Sequence, residues 1–182
     1  MTISKEQAES ALHDLEQVGD HSATLYKYTK MAPHLMLWGC VWIAGYGLSY
    51  ALPSRPGLIW LIANGVGIAL SVYIVRTNDR VSGKAYRRVV SVVLTVLAFS
   101  LALFAIMPPV SGKQLSAFIP LVIATTYILL GIWHGKRLVM AGVLIGTLTL
   151  LGFFVLHSHF NLWMAAMGGA ALILTGAWLK RV

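Results

Sequence analysis

The chain has 182 residues, of which 58% are hydrophobic and 11% charged, with a net charge of +8. That balance excludes water as the principal solvent and marks an integral membrane protein. Most lysines and arginines sit in short links beside apolar runs, so topology accounts for the charge without a nucleic-acid partner. Cys40 is the only cysteine, which excludes an intramolecular disulfide and any multi-cysteine metal centre.

The first segment, residues 1–32, is polar and acidic, which is not the pattern of a cleavable signal, and it is expected to stay in the cytoplasm. Residues 4–30 predict a helix opened by a Ser4–Gln7 capping box, with Gly19 as a break or bend. Ala8, Ala11, Leu12, Leu15, Val18 and Leu25 recur near the helical period and give a narrow apolar stripe. Glu6, Glu9, Asp14, Glu16 and Asp20 against Lys5 make the first twenty residues acidic by four charges.

Six apolar runs follow, at residues 35–52, 57–75, 89–107, 115–133, 138–156 and 162–179, each long enough to cross a hydrocarbon core of roughly 30 Å. Pro53 and Pro56, the basic link 76–88, Pro108 and Pro109, residues 134–137 and residues 157–161 separate them. The fold class expected is all-α: a cytoplasmic amphipathic helix followed by a domain, residues 33–182, of six transmembrane helices in three hairpins. With an even number of crossings, twelve of the fourteen lysines and arginines fall on the side of the termini and two, Arg55 and Lys113, opposite. That bias places both termini in the cytoplasm, and the protein in a bacterial inner membrane.

The link 76–88 carries Arg76, Arg80, Lys84, Arg87 and Arg88 against one acid. Those five cations are a candidate docking surface for the acidic N-terminal helix, with the apolar stripe carrying most of the contact, since exposed ion pairs are worth only about 0–1 kcal/mol each. A solvated helix, or one awaiting another protein, is the alternative. Trp60, Asn64 and Gly65 match the spacing of Trp163, Met167 and Gly168, and Gly131 to Trp133 matches Gly176 to Trp178. Duplication of a hairpin and chance recurrence of interfacial tryptophans both account for this.

The most distinctive stretch is His34, Trp38, Trp42, Tyr46 and Tyr50, spaced four apart along one helical face, with Asn64 and Ser71 of the next run as hydrogen-bond partners. The face either lines a cavity or pore for a neutral ligand, or is a packed seam. The runs contain no Asp, Glu, Lys or Arg, which argues against ion-coupled transport and acid–base catalysis. His157 and His159 are weak metal candidates, with two protein ligands at most, and no cofactor is expected. Gly142 and Gly146, and Ala165 and Gly169, mark close helix contacts, while Thr125 and Thr126 are expected to satisfy the carbonyl freed by Pro120. Two functions follow: a non-enzymatic membrane subunit or scaffold that binds a protein partner or a second copy through its cytoplasmic face, or a small channel or transporter for a neutral solute.

Overall fold

The computed structural model describes the backbone of residues 5–77, 83–107 and 111–181, with side chains left aside at 5–13, 15–17, 20–21, 83–86, 88–89, 93 and 134. The described residues are all-helical, without strands. In chain order the helices are α1 (Lys5–Ala51), α2 (Pro56–Thr77), α3 (Gly83–Ile106), α4 (Gly112–His134), α5 (Lys136–Phe154) and α6 (His157–Lys180). α6 opens with a 3₁₀ turn at His157–His159 and contains one π-helical turn at Met164–Gly168. Ser4, Arg80 and the proline pair at 108 and 109 lie outside the described residues.

Four of these helices, α2, α4, α5 and α6, are long and apolar enough to cross a membrane. The apolar part of α3, Val90–Ile106, is shorter. The apolar half of α1 is diluted by Trp38, Trp42, Tyr46 and Tyr50, whose polar atoms lower its hydropathy. Chain breaks follow local chemistry. Pro56 occupies the first position of α2, where its missing amide costs nothing. A capping box opens α4: the Gln114 amide donates to Ser111 Oγ at 3.3 Å and the Ser111 amide to Gln114 Oε1 at 3.2 Å. The α4–α5 turn needs Gly135, at φ 118°, where a side chain would also collide with the Tyr28 hydroxyl.

The helix does not break at Gly19. α1 runs unbroken for 47 residues, through Gly19 and Pro33, so the acidic segment and the first apolar run are one helix. Helix pairing also departs from three equal hairpins. The tightest pairs are α4 with α5 and α1 with α6; α2 lies against α1, and α3 stands at the edge, meeting α4 through the rings of Phe104 and Phe118, 4.8 Å apart.

Small residues decide this arrangement, because lipid offers no hydrophobic drive between helices and close backbone approach must hold them. A Cβ on Gly39 of α1 would lie 2.8 Å from the Gly169 carbonyl oxygen of α6, and one on Gly176 would lie 2.9 Å from the Ala32 oxygen. On the other seam a Cβ on Gly142 of α5 would lie 2.5 Å from the Ala124 oxygen of α4, with Gly146 in ordinary contact with the Ala124 methyl. The core between the two seams holds Leu35, Trp42, Tyr46, Leu138, Ile145, Phe160, Met164 and Leu172. The matched tryptophan and glycine positions of the faint repeat have different surroundings: Gly65 faces open space, whereas Gly168 is packed beside Trp42.

Gly39→Val is expected to separate α1 from α6 and lower stability by about 1–3 kcal/mol, whereas Gly65→Ala is tolerated. Thermal unfolding of the two purified variants in detergent checks the contrast.

Candidate functional site

Two of the five rings on the α1 face are enclosed: Trp42 and Tyr46 are 3% and 2% exposed. Tyr46 is the hub. Its ring meets Trp60 of α2 edge-on at 4.8 Å, Trp42 at 5.9 Å and Phe160 of α6 at 6.2 Å, and Phe153 of α5 extends the cluster to Phe160 at 6.3 Å. Each such pair contributes about 0.5–1.5 kcal/mol beyond area burial. Gly45 makes room for the Trp60 ring, which a Cβ there would meet at 2.9 Å.

The Tyr46 hydroxyl finds its partner on α4, not at Asn64: it donates to the Ser116 carbonyl at 2.7 Å. The reason is covalent. Pro120 has no amide hydrogen, so the carbonyl four residues earlier loses its helical donor, and that carbonyl belongs to Ser116. Thr125 and Thr126 do not repair this break, because their hydroxyls donate to Leu121 and Val122 at 2.9 and 2.8 Å. A tyrosine seventy residues away does so instead.

Trp163 of α6 is placed by a similar fit, its indole N–H donating to the Leu148 carbonyl of α5 at 2.8 Å, across Gly152, where a side chain would strike the ring. The π turn that follows Trp163 puts Met164, Ala165 and Gly168 into the core. A Cβ on Gly168 would touch Trp42 at 3.4 Å, so the turn lies directly against the enclosed indole of α1.

The remaining singled-out residues are dispersed. Trp38 is half-buried on the α2 side, where Gly67 faces its ring, and His34, Asn64 and Ser71 are half-buried. Tyr50 is 45% exposed and faces the His159 ring at 6.4 Å. The hydroxyls of Ser49 and Ser71 are buried without a hydrogen-bond partner among the described residues. His157 and His159 are exposed, with His157 Nδ1 3.3 Å from the Phe153 carbonyl. No group of three or more His, Cys, Asp or Glu that could hold a metal occurs among the described residues. Of the basic link, Arg76 and Arg87 are exposed, Arg80 lies outside the described residues, and the side chains of Lys84 and Arg88 are among those left aside.

A second convergence, which the sequence did not single out as a site, joins three helices at the end of the bundle near Tyr28. The Arg137 guanidinium lies 4.8 Å over the Trp178 ring and 5.8 Å over the Tyr28 ring, and its Nη1 donates to the Trp178 carbonyl at 3.3 Å. It thereby caps the C-terminal turn of α6. The sequence signal was the pairing of basic residues with tryptophans at two helix ends.

No family model matches the chain, and no curated protein or solved structure is similar to it.

Tyr46→Phe removes the hydroxyl that bonds the Ser116 carbonyl and is expected to lower stability by about 1–3 kcal/mol, since Pro120 leaves that acceptor without its usual helical donor. Tyr50→Phe, on the exposed part of the same face, is close to neutral. Unfolding midpoints of the two variants provide the comparison.

Proposed function

We propose that this protein is a non-enzymatic integral membrane subunit or scaffold, crossing a bacterial inner membrane six times with both termini in the cytoplasm. On this reading the N-terminal half of α1 projects from the bundle and receives a protein partner. One observation carries the reading: the continuity of the α1 stripe. Ala32, Met36, Gly39 and Ile43 face Gly176 and Gly169 of α6, in alternating steps of four and three residues. The same register runs back through Thr29, Leu25, Ser22, Val18, Leu15 and Ala11, past the level at which α6 ends at Lys180. Val18 is 63% exposed and Ser22 is exposed, so at these positions none of the described helices covers the stripe. The projecting part, Lys5 to Lys27, is roughly 35 Å long at about 1.5 Å per residue.

A small channel or transporter for a neutral solute is the second reading. The unpartnered hydroxyls of Ser49 and Ser71 favour it, since buried polar groups normally have partners. The enclosure of Trp42 and Tyr46 by Trp60 and Phe160 weighs on the side of a packed seam.

Purification in mild detergent separates the readings. A companion present in fixed stoichiometry, lost in Val18→Asp with Ser22→Asp while the melting temperature is unchanged, is the expected result. A single species that accelerates uptake of uncharged solutes into vesicles would replace the subunit reading with the conduit.

A further inference from the structure

We propose that the end of the bundle around Arg137 binds the phosphate headgroup of an anionic phospholipid. Arg137 of α5 is half-buried between Trp178 of α6 and Tyr28 of α1, which fixes three helix segments around one guanidinium. The sequence neighbours of those three residues are cations: Lys136 beside Arg137, Lys180 and Arg181 just beyond Trp178, and Lys27 beside Tyr28, all exposed. No acid adjoins them in the described stretches of α4, α5 and α6. The six acids of the chain are Glu6, Glu9, Asp14, Glu16, Asp20 and Asp79, so α4, α5 and α6 contain none, and Asp20, the nearest acid on α1, is two helical turns from Tyr28. Like charges so gathered repel unless an anion joins them.

The surroundings point to a lipid as the anion. Trp133, 75% exposed at the end of α4, and Trp178, 41% exposed, present indole rings at the same end of the bundle, and Ile132 is 67% exposed beside them. Exposed indoles belong at headgroup depth, where one edge is wet and the other meets acyl chains. A phosphodiester at that depth accepts hydrogen bonds from ammonium and guanidinium groups while its tails cover the apolar side chains below. A soluble phosphate matches the first contact but not the second. The assignment holds whether or not α1 also receives a protein.

The test uses the intact protein in detergent, titrated with dioleoylphosphatidylglycerol or dioleoylphosphatidylcholine, with retained lipid counted by native mass spectrometry. Phosphatidylglycerol is expected to be held about tenfold more tightly, and the triple variant K136Q/K180Q/R181Q to lose roughly a hundredfold of that affinity. The charge-preserving variant K136R/K180R/R181K retains it, as does R55Q/K113Q, which removes two cations from the opposite side. Equal retention of the two lipids, an equal loss in R55Q/K113Q, or displacement of phosphatidylglycerol by inorganic phosphate at comparable concentration would overturn the proposal, the last by showing a soluble anion to be the ligand.

Discussion

Backbone-to-backbone approach between α1 and α6 is the constraint on which the rest of this structure depends. Hydrocarbon chains solvate a leucine as well as another leucine does, so a bundle in lipid is held by packing at short range. Gly39, Gly169 and Gly176, with Ala32 opposite, allow that range. With α6 seated along α1, its π turn lies opposite Trp42, and its C-terminal turn comes within reach of Arg137. The α4–α5 pair then joins through the Trp163–Leu148 and Tyr46–Ser116 hydrogen bonds, each of which uses a backbone carbonyl as acceptor.

The two halves of α1 have opposite characters. Within the bundle the helix is enclosed on several sides by aromatic rings and glycine contacts that leave little freedom. Beyond Tyr28 the same helix presents exposed positions at Asp14, Val18, Ser22, Tyr26 and Lys27. No side chain in the enclosed cluster is an acid or base at neutral pH, and its one hydroxyl hub, Tyr46, is already committed to Ser116.

Much of the architecture was legible because lipid imposes a coarse rule on composition. Apolar runs of sufficient length became α2, α4, α5 and α6, and the links with proline or clustered charge became their ends. The enclosed part of the aromatic face, Trp42 and Tyr46, could be read from four-residue spacing because spacing fixes a helical face whatever the neighbours are. What spacing could not supply was the partner. Tyr46 bonds a carbonyl exposed by a proline on a distant helix, a match that depends on three-dimensional register. Gly19 read as an interruption by local propensity, yet α1 passes through it, a glycine inside a helix costing only about 1 kcal/mol. The Ser111–Gln114 capping box carries the same Ser-x-x-Gln signature as Ser4 and Gln7, set directly against an apolar run that dominates the local pattern.

The proline in α4 has a consequence for how the chain is made. Synthesis proceeds from the N-terminus, so the Tyr46 hydroxyl leaves the ribosome 70 residues ahead of the carbonyl it covers. When α4 forms with Pro120 in place, the Ser116 carbonyl lacks its helical donor, and the hydroxyl that covers it has already been made. The order of residues along the gene thus matches the order in which the lipid-embedded polar groups must be satisfied, and a chain with its first helix moved behind the fourth would be left with that carbonyl unguarded during insertion.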